Sequence, residues 1–293
     1  MKTILFYIFF LLNWVITLLP LRLLFGFSTL LYFILYHIVR YRRDVVIQNL
    51  RNSFPEKTEQ ELFIISKKFY RHLADLFIET LKLQHMKASE IKERYKIKNP
   101  ELLSKIHEEG RSTIVVFGHY GTWEWVISLP LNTKYKTLTV YKPLSSKLFD
   151  RYFLKIRSQY GLELVPMSRT GKTIYRYEQA GINTLTGLVA DQRPPRSESQ
   201  FWTKFLNQDT AVYLGIEKLS KKYNMVIVFF HIDKVGRGYY EVTPEIITED
   251  PVSLKPYEIT EKHVELLEEE IIRRPELWMW SHRRWKHKKP ADA

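Results

Sequence analysis

The chain contains no cysteine. Disulfide bonds, thiolate catalysis and cysteine-ligated metal sites are therefore excluded. The nine histidines are scattered and none has HExxH spacing, so we expect no metal site. The GxSxG pattern that marks an activated serine is also missing. Together these absences leave the sequence without a recognisable cysteine or serine nucleophile.

Acidic residues are in the minority. The 293 residues include 45 Lys+Arg but only 32 Asp+Glu, which gives a formal net charge of +13. This excess favours anionic partners such as phosphates, membrane surfaces, acidic proteins or nucleic acid. Eighteen Tyr, seventeen Phe and seven Trp make the chain rich in aromatic residues, as expected for contact with a bilayer interface.

Two long apolar runs occupy the N-terminus, over residues 4–19 and 23–39, with Pro20 between them. A membrane span needs roughly 20 apolar residues, and about 17 can suffice. We predict one membrane-spanning helix, broken near Pro20 and continued by a helix in or against the interface. A buried pair of core helices is the alternative. No small-residue cleavage site follows the first run, which argues against a signal peptide.

Arginines follow the second run, at positions 40, 42 and 43. By the positive-inside rule they place this flank on the cytoplasmic side of the membrane. The sequence therefore predicts two parts, a membrane anchor with an interfacial helix over residues 1–43 and a catalytic domain over residues 44–293.

Strand and helix patterns alternate through the second part. Strands are predicted at residues 114–117, 137–141, 162–165, 184–190 and 225–232, with 239–243 pairing antiparallel to the last. Helices are predicted at 56–83, 102–109, 146–160, 171–179, 211–223 and 261–274, the last capped by Thr260. This alternation predicts an α/β fold with a mainly parallel sheet flanked by helices.

The central motif is TIVVFGHYGTWEW at residues 113–125. His119 stands in the turn after a buried strand, and Glu124, separated from it by four residues, lies at the start of a helix predicted over 123–129. Ligands usually bind at this carboxyl edge of a parallel sheet. An imidazole there can act as a base near neutral pH, and a carboxylate can hold its tautomer. The alternative is a histidine that only caps or hydrogen-bonds the turn.

Tryptophans and cations alternate at the C-terminus, in LWMWSHRRWKHKKPADA at residues 277–293. Trp278, Trp280 and Trp285 among basic residues suit a lipid headgroup layer. They would also suit single-stranded nucleic acid. The apolar N-terminus and the lack of a nucleic-acid module argue against that reading. For the final five residues, a solvated basic tail is the alternative.

Six segments occur in an order and spacing that are specific together. They read NLRNSFP at 49–55, GHYGTWE at 118–124, VYKP at 140–143, ADQ at 190–192, FWTKFLNQDTAVYLG at 201–215 and PELWMWSHRRWK at 275–286. In these segments the chain resembles the late acyltransferases of lipid A biosynthesis, the lauroyl/myristoyl transferase family of Gram-negative bacteria. That family belongs to the lipid acyltransferases with a His-x4-Asp/Glu motif. One departure follows Asp191, where enterobacterial members carry more acidic residues than the Gln192 to Pro195 segment here.

The resemblance implies a glycerol-phosphate-acyltransferase-like fold and a reaction without cofactors. A fatty acyl chain would pass from acyl carrier protein, or from coenzyme A in some relatives, to a hydroxyl of a lipid A precursor. His119 would remove the proton of that hydroxyl, and Glu124 would orient the ring through its other nitrogen. The protein would be a single-pass protein of the cell inner membrane, with its catalytic domain on the cytoplasmic side.

Further groups follow from the same implied reaction. Backbone N–H groups of Gly121 and Thr122 are candidates for the oxyanion site. Arg169, in the MSRTGK turn, is the first side-chain candidate for neutralising the oxyanion or an acceptor phosphate. Asp191 is expected to line the same cleft, or else to serve its loop structurally.

Two more cations, Lys142 and Arg157, are weaker candidates for phosphate contact. For each candidate cation, including Arg169, a surface salt bridge is the alternative.

Two rival functions remain open at the level of sequence. The first is the same chemistry on a lysophospholipid, an aminolipid or a glycolipid. The second is a catalytically inactive, membrane-anchored binding protein, in which His119 and Glu124 would be dispensable.

Overall fold

The computed structural model describes residues 2–199 and 201–290. Its strands are β1 (Tyr95–Ile97), β2 (Thr113–Phe117), β3 (Lys136–Tyr141), β4 (Glu163–Pro166), β5 (Thr184–Val189), β6 (Phe201–Phe205), β7 (Gln208–Val212), β8 (Val226–Gly236) and β9 (Tyr239–Thr248). Seven of them form one sheet in the order β1-β9-β8-β2-β5-β3-β4. All neighbours in it are parallel except β8 and β9. The predicted α/β fold with a mainly parallel sheet is confirmed.

Helices cover the sheet. They are α1 (Lys2–Ile16), α2 (Leu21–Phe33), α3 (Arg43–Ser53), α4 (Glu59–Lys82), α5 (Ala88–Arg94), α6 (Pro100–Glu108), α7 (Lys147–Arg157), α8 (Thr170–Gln179), α9 (Gly215–Tyr223) and α10 (Glu258–Arg273). A π-helical turn, Ile34–Ile38, continues α2. The long helix α4 starts at a capping box, in which Thr58 and Glu61 each accept a backbone N–H from the other.

Strand β2 lies in the centre of the sheet, and all five of its residues are buried. It pairs in parallel with β5, with Phe117 opposite Val189. His119 and Asp191 each follow two residues after this last matched pair. The parallel register therefore delivers both side chains to the same edge of the sheet.

A hairpin replaces the first part of the helix predicted at 211–223. Strands β6 and β7 pair antiparallel across a two-residue loop. The loop residues Leu206 and Asn207 both have positive φ, 51° and 62°, as a tight right-twisted hairpin turn requires. Helix α9 begins only at Gly215.

The helix predicted at 123–129 is present as a 3₁₀ helix, Trp123–Leu131, which includes Pro130. The prediction for Thr260 was wrong. Thr260 does not cap the last helix but lies within α10, where its hydroxyl donates to Glu217 at 2.7 Å.

The N-terminal helices pack on the rest of the chain. On α2, Leu21, Leu24, Phe25 and Ser28 are buried. Within the described residues, the segment Leu21–Ile38 is long and apolar enough to cross a membrane, and 28% of it is buried in the protein. Length and composition are therefore compatible with the predicted anchor.

The C-terminal tryptophans belong to the protein core. Trp278 and Trp280 are 2% and 0% exposed, and their rings meet edge to face at 4.8 Å. Trp285 is partly buried against the same cluster. The prediction that these rings lie in a headgroup layer is wrong for Trp278 and Trp280, because both are enclosed by protein.

Candidate active site

His119 lies on the wall of a cavity of about 700 Å³ at the carboxyl edge of the sheet. Its side chain is 19% exposed, although the turn around it is buried. Apolar side chains from several elements line much of this cavity, among them Val126, Ile127, Leu162, Leu164, Leu188 and Leu219. A partly exposed imidazole thus faces a largely apolar chamber.

The partner of this imidazole is Asp191. His119 Nδ1 lies 2.6 Å from Asp191 Oδ1. The other carboxylate oxygen accepts the indole N–H of Trp278 at 2.8 Å. Contact with the imidazole and the Trp278 hydrogen bond lower the pKa of the buried Asp191 carboxyl to about 2, against the opposing effect of burial. Asp191 is therefore ionised at neutral pH and accepts a hydrogen bond from the Nδ1–H of His119.

This arrangement sets the tautomer of His119. With a proton on Nδ1, the neutral ring has an unprotonated Nε2. The side-chain amide of Gln192 lies 3.0 Å from that nitrogen and donates to it. The nitrogen that can accept a substrate proton is therefore the one beside the cavity-lining Gln192.

Glu124 does not contact the ring, so the prediction that it orients His119 is not supported by the geometry. Both of its carboxylate oxygens accept from Arg157, at 2.9 Å from Nε and 2.6 Å from a terminal nitrogen. The turn between His119 and Glu124 contains Gly121 at φ +57°, and a 3₁₀ helix follows. Along this backbone path the two side chains diverge, and the Glu124 carboxylate meets Arg157 instead of the imidazole.

The Glu124–Arg157 pair itself lines the cavity. The Glu124 side chain is 13% exposed and that of Arg157 is 25% exposed. The guanidinium donates two parallel hydrogen bonds to the carboxylate. Such paired contacts hold an ion pair in one geometry. The pair places a fixed guanidinium on the wall that also carries His119.

The other predicted cations divide into two groups. Lys142 lines the cavity and is exposed. Arg169 is also exposed but does not line the cavity, whereas its neighbours Met167 and Thr170 do. The structure therefore brings Lys142 and Arg157 to the chamber and leaves Arg169 at its outside.

The predicted oxyanion donors are not placed for that role. The N–H of Gly121 already donates to the carbonyl of Leu277 at 3.1 Å. Neither Gly121 nor Thr122 lines the cavity, and both are buried. The turn lacks the α-helical N-terminus on which the prediction depended.

Three residues that sequence reasoning did not assign to the site contribute to it, namely Gln192, Trp278 and His282. His282 lines the cavity, and its Nε2 accepts the backbone N–H of Arg193 at 3.4 Å. Burial lowers the pKa of His282 to about 4, which keeps the ring neutral. Trp278 and His282 belong to the PELWMWSHRRWK segment. Its place among the six family-like segments was the sequence feature that could have pointed to these two residues.

The site can therefore remove a proton, hold negative charge beside a guanidinium and enclose apolar chains. Among the described residues, no group of three His, Cys, Asp or Glu side chains could hold a metal ion. The described part of the chain thus places an imidazole, His119, against a buried carboxylate, Asp191, on the cavity wall.

Comparison with known proteins agrees with this chemistry. No curated protein matches the chain. The family model described as bacterial lipid A biosynthesis acyltransferase matches residues 1–287. Since this match covers nearly the whole sequence, the chain belongs to the bacterial lipid A biosynthesis acyltransferase family.

Proposed function

We propose that this protein moves a fatty acyl chain from a thioester donor to a hydroxyl of a lipid A precursor, with His119 as the general base. The observation that carries the proposal is the 2.6 Å contact between His119 and the ionised Asp191 on a cavity wall. It gives the ring the tautomer in which Nε2 can accept a proton. Asp191 takes the orienting role that the sequence suggested for Glu124.

The reaction follows from these positions. The acceptor hydroxyl replaces the Gln192 amide at His119 Nε2 and transfers its proton there as its oxygen attacks the thioester carbon. Asp191 stabilises the resulting imidazolium. The tetrahedral intermediate then expels the thiolate, which takes the proton from Nε2. An ester and a free thiol result, and no covalent enzyme intermediate forms.

Negative charge on the tetrahedral oxygen needs donors. The Gln192 amide, displaced from Nε2, lies next to the reacting atoms and can donate to this oxygen. Arg157 supplies positive charge on the same wall, held in place by Glu124. Lys142, at the exposed part of the wall, suits a phosphate of the acceptor. Preorganised donors of this kind act strongly in a chamber with apolar walls.

The partners and location follow the same chemistry. The soluble donor is acyl carrier protein, with acyl-coenzyme A as the alternative, and it arrives from the cytosol. The lipid acceptor stays in the inner membrane, so the catalytic domain works at the cytoplasmic face. The net charge of +13 favours an acidic carrier protein and anionic headgroups through long-range attraction that salt weakens.

Release of free thiol tests the base directly. The full chain in detergent receives acyl carrier protein thioester and a lipid A precursor, and wild type is compared with His119→Ala and Asp191→Asn. We expect both substitutions to remove most turnover, because a positioned base contributes about 10²–10⁴-fold. Undiminished thiol release by His119→Ala would reject the base and would fit an inactive, membrane-anchored binding protein.

Acceptor identity needs its own comparison. The same assay is run with a lysophospholipid, an aminolipid and a glycolipid in place of the lipid A precursor, and the products are read by mass spectrometry. We expect esterified product only with the lipid A precursor. A higher kcat/KM for another acceptor would assign the enzyme to that lipid, while coenzyme A thioester in parallel reactions decides the donor.

A further inference from the structure

The N-terminal helices bury polar side chains and expose apolar ones. Three polar side chains of this segment are buried and bonded to the body of the protein: Asn13 to the Tyr152 hydroxyl at 2.6 Å, Thr17 to His85 at 2.9 Å and Ser28 to Asp75 at 2.6 Å. The outward face is almost entirely apolar. Its large side chains, each 47–65% exposed, are Ile4, Leu5, Ile8, Leu11, Leu12, Val15, Leu18, Leu23, Phe27, Leu30, Phe33, Ile38 and Val39.

A helix on a water-soluble protein has the opposite pattern, with apolar residues inward and polar residues outward. An exposed apolar surface of this extent marks an interaction site. The arginines at 40, 42 and 43 follow its C-terminal end, and Arg22 lies in the first turn of α2. Cations at the borders of an apolar face match anionic headgroups and would lie poorly in an interface between two copies of the chain.

Helix α1 is fastened to the body along its length. Near its start, the Phe6 ring meets Phe149 of α7 at 5.0 Å. Just beyond its end, the Lys82 ammonium donates to the carbonyls of Thr17 and Leu19 at 2.9 and 3.0 Å. These contacts, with the Asn13 bond between them, leave no free stretch of α1 that could cross a bilayer alone.

The partner of α1 is unsuited to hydrocarbon. Helix α7 exposes Lys147, Arg151 and Lys155 beside the α1 contacts. If α1 stood perpendicular to the membrane, α7 would enter the bilayer with these charges, which is costly.

Helix α2 is held in the same way. Arg237, after strand β8, donates to Asp75 of α4 at 2.6 Å and to the carbonyl of Phe25 at 3.2 Å. The exposed Arg71 of α4 lies over the Tyr32 ring of α2 at 5.3 Å. Asp75 therefore ties the middle of α2 to a charged helix that runs beside it.

We propose that α1 and α2 lie together within the cytoplasmic leaflet, parallel to the bilayer plane, and that the chain does not cross the membrane. This topology replaces the single span expected from the sequence. The choice of leaflet depends on the proposed function, whereas the in-plane orientation depends only on the contacts above. Helix α7 carries Tyr152 against α1 and Arg157 on the cavity wall, so the cavity lies close to the lipid surface.

The absence of native cysteine allows a direct test. Four full-length variants, Ile4→Cys, Val15→Cys, Leu23→Cys and Leu30→Cys, carry a fluorophore in nanodiscs of phosphatidylethanolamine and phosphatidylglycerol. Nitroxide lipids at different depths then quench the probe. Ser104→Cys, on the exposed face of α6, is the aqueous control.

Positions 4 and 15 report on α1, and positions 23 and 30 report on α2. We expect the two probes of each helix at the same shallow depth, roughly 5–10 Å into the headgroup and acyl boundary. A perpendicular crossing would separate Ile4 from Val15 by about 16 Å, and Leu23 from Leu30 by about 10 Å, and would overturn the proposal. Absence of quenching at all four positions, with a dimer in solution, would show that a second copy covers the face and would also overturn it. No acyl donor is present, so an inactive enzyme does not alter this result.

Discussion

The indole N–H of Trp278 donates to Asp191 at 2.8 Å, and the opposite oxygen of the same carboxylate meets His119 at 2.6 Å. A residue near the C-terminus thus fixes a carboxylate that follows β5, which in turn fixes an imidazole that follows β2. The carbonyl of Leu277, beside Trp278, also accepts the Gly121 N–H. One short C-terminal segment therefore positions both the Asp191 carboxylate and the turn that carries His119.

The first prediction separates Asp191 from Glu124. Asp191→Asn should lower kcat by about 10³–10⁴-fold, because an amide does not hold the required tautomer or stabilise the imidazolium. Glu124→Gln leaves the Nδ1 contact intact and should cost less. Steady-state thiol release measures both, and a larger loss for Glu124→Gln would contradict the assigned pair.

The second prediction concerns Trp278. Trp278→Phe leaves a buried carboxylate oxygen without its donor and should lower the free energy of unfolding by about 1–3 kcal/mol. The indole helps to hold the pKa of Asp191 at about 2, so its removal raises that pKa. A more basic carboxylate stabilises the imidazolium form of His119 more strongly, so the acid limb of the pH–kcat profile, which reports loss of the neutral base, should move to higher pH.

Trp280→Phe is the matched control for this change. Trp280 is equally buried, but its indole donates to the carbonyl of Pro275. It should lose stability without a shift of the acid limb. Equal shifts in the two variants would mean that the Trp278 hydrogen bond does not tune Asp191.

The third prediction concerns the Glu124–Arg157 pair. Each of Glu124→Gln and Arg157→Met removes one member of a paired, partly buried interaction. In a double-mutant cycle on kcat/KM we expect a coupling energy of about 1–3 kcal/mol. Additive effects would show that the two residues act independently in the reaction.

The fourth prediction concerns stability at acid pH. His263 is fully buried, and burial lowers its pKa to about 4. In the unfolded chain the histidine pKa is near 6.5, so the unfolded state binds the proton more tightly than the folded state. The stability that comes from keeping this ring neutral is therefore fully present above pH 6.5 and is lost as the pH falls towards 4. Between pH 7.5 and pH 5 the free energy of unfolding should fall by about 2 kcal/mol from this group.

Chemical unfolding of wild type and His263→Gln at both pH values isolates this contribution. The variant should lose less stability on acidification than wild type by that amount. Parallel losses in the two proteins would show that His263 is not neutral in the fold.

The fifth prediction uses two glycines with positive φ. At Gly121, φ is +57° and an added Cβ would lie 2.9 Å from Ile232 Cγ2, whereas at Gly110, φ is +74° and the space is open. Gly110→Ala should cost about 1–2 kcal/mol of stability from backbone strain alone. Gly121→Ala should cost more and should reduce kcat, since it displaces the turn that carries His119. Thermal unfolding and thiol release measure the two effects.

The parallel sheet and the position of His119 at its edge could be predicted because they depend on local patterns. Apolar runs of four to six residues alternate with amphipathic helices, and a histidine directly follows one such run. The hairpin at residues 201–212 was missed because part of its second strand continues into a helix-forming sequence. The burial of Trp278 and Trp280 was missed because aromatic residues among cations also occur at membrane surfaces.

By itself, the sequence determined the fold class, the family segments and the presence of an imidazole after β2, since each depends on residues that are close along the chain. Tertiary structure alone decided which carboxylate contacts that imidazole. His119 and Asp191 are 72 positions apart and meet because β2 and β5 pair in parallel register, whereas Glu124, five positions from His119, is turned away by the Gly121 backbone and held by Arg157. Spacing along a chain fixes contacts only where the backbone is regular, and at this turn it is not.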